Sequence, residues 1–389
     1  MDSITLFVCG DVMLGRGIDQ ILAHPGPPEL REDYVRDARD YVELAETASG
    51  PIPRPVPPSY PWGDALEILE AMRPDARLIN LETAITADGR FWPDKGIHYR
   101  VHPANLSVLR AAGVDVCSLA NNHLLDFDRP GLLDTLRALD EAGIARCGAG
   151  ADLGEAAAPA RLEPPGGRRL HVFGVGHGSS GIPEAWAAGP KTPGVFLLPD
   201  LSARTADRLL ARILAERAED AIAIVSIHWG SNWGHEIPSA QIAFARRLID
   251  GGVDLVHGHS SHHARALEVY RGRLILYGCG DFVNDYEGIG GYERYRGDLR
   301  LMYFPTLGPD GRLLRLRIFV LQSHRLRLRL ASREDARWLA ADLDRASHPF
   351  ATRVLPGEAG ELELQLPPRR TPEGRPRVRP FPEPPRGRR

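Results

Sequence analysis

The sequence has few lysines, no paired cysteines and no long apolar run. Only Lys95 and Lys191 among its 48 basic residues are lysine, and the formal net charge of −3 provides no overall basic field for nucleic acid or anionic lipid. The four cysteines are scattered without a CxxC pair, which argues against a disulfide framework. The amino terminus lacks a basic segment and carries only a short apolar run. We therefore predict a cytoplasmic protein that binds neither nucleic acid nor membrane.

The length and composition predict a large buried core. A chain of 389 residues with 43% hydrophobic content can form one large domain, which we place over residues 1–366. Residues 24–61 have proline at both ends and a charged helical middle, and we interpret them as an insertion. This insertion could be a lid, a partner surface or a passive surface segment, and with residues 286–297 it could form a mobile rim. Residues 367–389 are rich in proline and arginine, which predicts a disordered tail.

Four histidines lie within seven residues, between two apolar runs that read as buried strands. They are His257, His259, His262 and His263. Gly258 is expected to turn the backbone sharply, so that His259 and His262 converge beyond a strand end. Imidazole is a common metal ligand and the usual proton carrier near neutral pH, which favours a functional site over a solvated loop.

Polar residues also follow several other apolar runs. Open α/β sheets place their sites at the carboxyl ends of strands, so these residues are expected to meet at one edge. Capping by Asp11 and turn formation by Asn121 or Asn122 are the alternatives. The residues concerned are Asp11 after the run 4–9, Glu82 after 76–81, Asn121, Asn122, His123 and Asp126 after 114–119, and His228 after 221–227.

Taken together, these segments resemble the CapA family, whose members have a calcineurin-like metallophosphatase fold. The resemblance covers most of residues 4–285 and rests on GDVMLGR (10–16), NLETAIT (80–86), ANNHLLD (120–126), SIHWG (226–230), GHSSHH (258–263) and LILYGCGDF (274–282). It implies an α/β fold with two central β-sheets packed face to face and flanked by helices, so that residues 1–366 would be a metal-dependent catalytic domain.

The same resemblance implies a divalent metal site and a proton donor. The implied ligands are Asp11, Glu82, Asn122, His228, His259 and His262, and the implied proton donor is His123. Met13 stands where the phosphatases carry a histidine ligand, Glu82 replaces their bridging aspartate, and Asp281 replaces the usual asparagine. A soft methionine suits hard cations poorly, so a single Ca²⁺ held by oxygen becomes an option, with Mn, Zn or Fe as the alternatives.

Three reactions fit these residues, and the sequence alone favours the third. The first is metal-assisted hydrolysis of a phosphoester, and the second is amide chemistry on poly-γ-glutamate. The third resembles the lasso-peptide epimerase, which converts the C-terminal tryptophan of a precursor peptide from L to D. Epimerisation needs a base on each face of the Cα atom. These bases would be His123 with Asp126, and His228 or His262 with Asp11 or Asp281. Arg16 would bind the peptide carboxylate, and Trp229 and Trp233 would stack on an aromatic residue, unless they are core aromatics.

Overall fold

The computed structural model describes residues 3–165, 168–357 and 360–366. The predicted tail, 367–389, lies outside these residues. Within the described part of the chain, no helix is long and apolar enough to cross a membrane. The helices are α1 (Gly17–Ile21), α2 (Arg39–Ser49), α3 (Ala65–Met72), α4 (Ser107–Ala111), α5 (Asp128–Ala142), α6 (Leu153–Ala156), α7 (Ala203–Glu216), α8 (Ser239–Asp250) and α9 (Arg333–Ser347).

The strands are short in most of the chain and longest at the centre of each sheet. In chain order they are β1 (Ile4–Val12), β2 (Ala76–Leu81), β3 (Ala84–Ile85), β4 (Arg100–Val101), β5 (Val116–Ser118), β6 (Ala145–Cys147), β7 (Ala149–Gly150), β8 (Ala160–Leu162), β9 (Leu170–His177), β10 (Gly194–Val195), β11 (Leu197–Leu198), β12 (Ile222–His228), β13 (Leu255–His259), β14 (Leu267–Tyr270), β15 (Arg273–Leu276), β16 (Asp281–Val283), β17 (Leu299–Leu307), β18 (Leu313–Ser323), β19 (Leu328–Leu330), β20 (Arg353–Pro356) and β21 (Leu362–Gln365).

Two large sheets carry the fold. The first sheet has ten strands in the order β20-β21-β18-β17-β1-β2-β5-β6, with β16 paired to β1 and β19 paired to β18. The second sheet has seven strands in the order β11-β9-β12-β13-β15-β14, with β8 paired to β9. Strands β1, β2, β5 and β6 are mutually parallel, as are β9, β12, β13 and β15, so their carboxyl ends share an edge in each sheet.

Side-chain alternation along the central strands produces three apolar layers. In β1, Leu6 and Val8 contribute to the core between the two sheets, whereas Phe7 contributes to the core beneath the helices that cover the first sheet. In β12, Ile224 faces the core between the sheets and Val225 faces the layer of α7 and α8. Because both faces of the central strands are covered, most of their residues are apolar. The predicted α/β fold, with two face-to-face sheets flanked by helices, is confirmed.

Residues 24–61 contain α2, which packs into the protein rather than lying free on its surface. Tyr41, Val42 and Ala45 of this helix are fully buried. Val42 and Ala45 belong to the core beneath the first sheet, and the Glu32 carboxylate accepts a hydrogen bond from the Arg16 guanidinium at 2.8 Å. This part of the predicted rim therefore contributes to the core.

The sharp turn after the histidine strand falls two residues later than the sequence indicated. Gly258 lies inside β13, and its role is close packing: a Cβ atom there would lie 2.5 Å from the Leu276 carbonyl oxygen. The turn is made by Ser260, whose φ is 106°, a conformation that residues other than glycine rarely adopt. His259 therefore ends a strand, and His262 lies in the loop that follows.

Candidate metal centre

The carboxyl ends of the central strands of both sheets meet at one buried site. Asp11 on β1 is in register with Asn80 on β2, and His228 on β12 is in register with His259 on β13. Glu82 comes directly after β2, and its side chain is also buried. The packing of the two sheets thus brings together side chains that lie up to about 250 residues apart in the chain.

Two neighbouring carboxylates lie at the bottom of this site. Asn80 Nδ2 donates to Asp11 Oδ1 at 2.7 Å and to Glu82 Oε2 at 3.3 Å. Burial, followed by the charge of Asp281, raises the pKa of Asp11 to about 7. Burial, followed by the charge of Asp11, raises the pKa of Glu82 well above its ordinary value. Two buried carboxylates that repel each other are stabilised by a cation between or beside them.

Two neutral imidazoles face the carboxylates. His228 Nδ1 and His259 Nδ1 are 2.8 Å apart, and His259 Nδ1 is 3.9 Å from Asp11 Oδ1. Burial is the main cause that lowers the pKa of both histidines well below the ordinary value. Each ring is therefore neutral at neutral pH, and one of its two nitrogens has a free lone pair. His228 Nε2 donates to Asn122 Oδ1 at 2.9 Å, which leaves His228 Nδ1 as the bare nitrogen.

These residues fit a divalent metal ion. Candidate ligand atoms of Asp11, His228 and His259 all lie within 4.8 Å of one another. His228 Nδ1 and His259 Nδ1 are 2.8 Å apart, close enough for both to reach one ion at about 2.1 Å. Glu82 Oε1, 4.0 Å from His228 Nε2, lies next to this group. Asn122 accepts a hydrogen bond from His228, a member of this group.

His123 forms a pair with Asp126 on one side of the group. Its Nδ1 is 2.7 Å from Asp126 Oδ2, and its Nε2 is 3.8 Å from Glu82 Oε1. Lys95 Nζ lies 3.1 Å from the same Nδ1 and forms a close ion pair with Asp126 Oδ1. Burial and then the Lys95 charge lower the pKa of His123 well below its ordinary value, so His123 is neutral with Nε2 directed toward the carboxylates.

His262 forms a second pair, with Asp281, and stays outside the three-residue group. Its Nδ1 is 2.8 Å from Asp281 Oδ1. Burial lowers the pKa of His262, but the charge of Asp281 and its hydrogen bond outweigh burial, and the net shift is upward. The same Asp281 lies 3.3 Å from Arg300 Nη1 and is in register with Asp11.

The three residues proposed to bind substrate have different surroundings. Arg16 is buried and donates to Asp285 Oδ2 at 3.1 Å and to Glu32, so it is not free to hold a peptide carboxylate. Trp229 is 1% exposed and packs on Phe244 and Tyr277 as a core aromatic. Of the three, Trp233 does lie next to the site: its ring is 5.4 Å from His262 and stacks on Tyr292 at 4.1 Å.

The sequence interpretation missed Lys95 and Tyr286. The Tyr286 hydroxyl is 2.5 Å from that of Tyr99 and donates to Met13 Sδ at 3.6 Å, so it covers the methionine that stands at the phosphatase histidine position. No sequence signal indicated Tyr286. Lys95 offered one: in a chain that uses arginine for nearly all its basic residues, a lysine beside the second motif is unusual. Lysine is a compact charge whose pKa shifts readily on burial, and arginine cannot replace it in that respect.

Comparisons with known proteins cover the segments that contribute to the site. The family model described as "Bacterial capsule synthesis protein PGA_cap" matches residues 5–286. A probable polyglutamine synthesis accessory protein of Mycobacterium tuberculosis is 52% identical over 365 residues, covering 93% of this chain and 96% of that protein. The PGA biosynthesis protein CapA of Bacillus subtilis is 26% identical over 80% of this chain and 70% of its own length.

Among solved structures, a 5'-nucleotidase precursor from Thermus thermophilus superposes with a TM-score of 0.44 and 16% identity, covering 82% of this chain and 54% of its own. The family model spans every strand end that contributes to the site, from Asp11 to Asp281. The chain therefore belongs to the bacterial capsule synthesis protein family PGA_cap.

Proposed function

We propose that the protein is a metal-dependent hydrolase that cleaves an amide bond of a glutamyl polymer. The observation that carries this proposal is the buried group of Asp11, His228 and His259, with Glu82 beside it. Family membership and the names of the relatives, which refer to polyglutamine and PGA synthesis, supply the substrate class. These findings fit the hydrolase better than the epimerase that the sequence alone favoured.

A transition-metal ion suits the donor set better than Ca²⁺. Two neutral imidazoles and one or two carboxylates are ligands that Zn, Mn and Fe accept, whereas Ca²⁺ takes oxygen ligands only. A divalent ion held by Asp11, His228 and His259 would supply Lewis acidity toward the carbonyl group of the substrate. We therefore propose Zn, Mn or Fe as the cofactor.

Two histidines whose pKa values are shifted in opposite directions flank this group and can move protons. Neutral His123 has its Nε2 free to accept a proton from the attacking water, while Asp126 holds its Nδ1 at 2.7 Å. At His262, burial lowers the pKa but the Asp281 carboxylate raises it further, so the protonated form is favoured and can give its proton to the leaving amine. General acid and base groups of this kind contribute roughly a hundred- to ten-thousand-fold each.

An open pocket beside His262 can receive the substrate. Its volume is about 360 Å³, and it reaches from Asp281 to an aromatic wall. Trp233, Tyr286, Ile289 and Tyr292 form most of its apolar lining. A polymer segment in this pocket would place one end next to the His262–Asp281 pair.

Epimerisation remains the second candidate, because the two histidine–carboxylate pairs lie on different loops. One neutral base and one protonated acid are what removal of a Cα proton from one face and its return to the other would require. A precursor peptide would then be the substrate. Nothing in the family match or in the relatives' names points to this reaction.

One experiment separates the candidates. The protein, loaded in turn with Zn²⁺, Mn²⁺ or Fe²⁺, is incubated in deuterated water with poly-γ-glutamate, a phosphomonoester or a tryptophan-terminated peptide, and the products are examined by mass spectrometry. Chain cleavage with a gain of water is expected from poly-γ-glutamate, and Asp11→Asn should abolish it. A gain of one deuteron without cleavage would establish epimerisation. Cleavage of the phosphomonoester alone would replace the proposal with a phosphoesterase.

A further inference from the structure

We propose that a buried hydrogen-bond chain from Cys9 through His257 and Ser226 fixes the tautomer of His259, so that His259 Nδ1 is permanently bare and ready to bind the metal. His257 and Ser226 would then be positioning residues that touch neither metal nor substrate. The functional meaning of this inference depends on the proposed metal site. The hydrogen-bond chain itself consists of contacts that exist without a metal.

The first hydrogen bond determines which atom donates in each of the bonds that follow. His257 Nε2 lies 2.7 Å from the main-chain carbonyl oxygen of Cys9. A carbonyl oxygen can only accept a hydrogen bond, so Nε2 must carry the proton. His257 is 0% exposed, and its two hydrogen-bond partners, the Cys9 carbonyl and the Ser226 hydroxyl, are both uncharged. A buried imidazolium without a paired charge is costly, so the ring is neutral and its Nδ1 has a lone pair.

The next two bonds pass this direction on. Ser226 Oγ is 3.0 Å from His257 Nδ1 and 2.9 Å from His259 Nε2. A hydroxyl has one proton to donate, and the Ser226 hydroxyl donates it in a hydrogen bond to the bare Nδ1 of His257. The hydroxyl oxygen must then accept from His259 Nε2, which carries the proton of that ring. The remaining nitrogen, His259 Nδ1, is left bare and faces His228 and Asp11.

This hydrogen-bond chain also connects the two sheets. Cys9 lies on β1 of the first sheet, whereas Ser226 and His257 lie on β12 and β13 of the second and are opposite each other in register. All three residues are 0% exposed, so water cannot compete for these bonds. Correct docking of the sheets therefore orients a metal ligand, in the way that partners of metal-binding histidines generally fix ring orientation and tautomer.

The decisive measurement is made on the metal-free protein, and it does not depend on any activity. Long-range ¹H–¹⁵N correlation spectra of ¹⁵N-histidine-labelled protein identify each ring nitrogen as protonated or bare. We expect His257 and His259 both to carry their proton on Nε2. In Ser226→Ala, the His259 preference should be lost while His257 stays as it is. A proton on His259 Nδ1 in the unaltered protein would overturn the proposal.

Metal affinity provides the second measurement. Titration with Zn²⁺ should show a loss of about 10- to 100-fold in Ser226→Ala, the range typical for the partner of a metal-binding histidine. Ser226→Thr keeps the hydroxyl and should restore most of the affinity. Ser118→Ala is the matched control, because Ser118 is equally buried on β5 of the other sheet.

Equal Zn²⁺ affinity in Ser226→Ala and Ser118→Ala would overturn the positioning role. If the tautomers are as expected but glutamyl polymer is not cleaved, the proposed function fails while this inference stands. If Ser226→Ala does not fold, the tautomer of His259 in the unaltered protein still decides the question.

Discussion

The two histidine–carboxylate pairs beside the candidate metal centre have nearly the same geometry, but the pKa values of their histidines are shifted in opposite directions. His123 Nδ1 is 2.7 Å from Asp126, and His262 Nδ1 is 2.8 Å from Asp281. The His123 ring is buried, the His262 ring is 13% exposed, and both carboxylates are close. Yet the pKa of His123 is lowered well below its ordinary value, whereas that of His262 is raised.

The difference arises from the charges around each pair. Burial lowers the pKa of both rings, so the nearby charges decide the net direction. At His123 the next largest cause is Lys95, a cation 3.1 Å from the ring, which opposes a second positive charge. At His262 the Asp281 carboxylate is the largest opposing cause, and Asp11 adds a second negative charge.

When the surroundings of two similar titratable groups shift their pKa values in opposite directions, one group is suited to act as the base and the other as the acid. His123 is the base and His262 is the acid in the proposed hydrolysis. From the sequence alone, His123 with Asp126 and His262 with Asp281 are both interpreted as bases, with no difference in protonation. The contrast can be tested by changing each side in turn.

The largest effect is expected from His123→Gln. Loss of the base should lower kcat by roughly 10²- to 10⁴-fold and leave Zn²⁺ binding nearly unchanged, because His123 is not among the grouped ligands. Steady-state kinetics and metal titration measure the two quantities. His235→Gln, at a partly exposed histidine, is the control. A His123→Gln enzyme with normal kcat would remove His123 from the mechanism.

The next effect concerns the pH profile of kcat. Activity should rise with pH as His123 loses its proton, through a pKa below the ordinary 6.5, because the base must be neutral. It should fall at higher pH as His262 loses its proton, through a pKa above 6.5, because the acid must be protonated. His262→Gln should abolish the alkaline limb and lower kcat toward the smaller end of about 10²- to 10⁴-fold. An alkaline limb that persists in this variant would contradict the assignment.

A smaller effect is expected on metal affinity. Asp11 has a pKa of about 7 in the metal-free protein and must lose its proton to bind a cation. Below that pH, Zn²⁺ affinity should fall by about tenfold per pH unit, and above it the affinity should level off. His228 and His259 are already neutral there, so they do not contribute to this slope. Isothermal titration between pH 6 and 8 is the test, and a flat affinity in that range would refute the role of Asp11.

The smallest effect is expected from Lys95→Met. Removal of the cation should raise the pKa of His123, because Lys95 is a cause that lowers it, and should move the acid limb of the profile toward higher pH. The rate below neutral pH should fall a few-fold. Lys95→Arg keeps the charge and should keep most of the profile, and Lys191→Met changes the exposed second lysine as a control. An acid limb unmoved in Lys95→Met would show that Lys95 does not set the protonation of His123.

Much of the fold and the composition of the site followed from the sequence. Apolar runs that end in Asp11, Glu82 or His228 predicted parallel strands with polar carboxyl ends, because both faces of a central strand are covered and only its end is free to carry polar groups. The motif order was enough to indicate the family. The spacing of the histidines predicted that some of them would converge.

Tertiary structure decided the role of each of these residues. The docking of the two sheets places Cys9 against His257. The packing of other segments brings Glu32 and Asp285 onto Arg16 and buries Trp229 in the core beside α8. Residues 24–61 looked like a surface insertion because their charges dominate the pattern, yet Tyr41, Val42 and Ala45 of α2 are buried. The opposite pKa shifts of His123 and His262 depend on Lys95 and Asp11, which lie 28 and 251 residues away in the chain. Electrostatic effects act through space, so a local motif alone cannot reveal them.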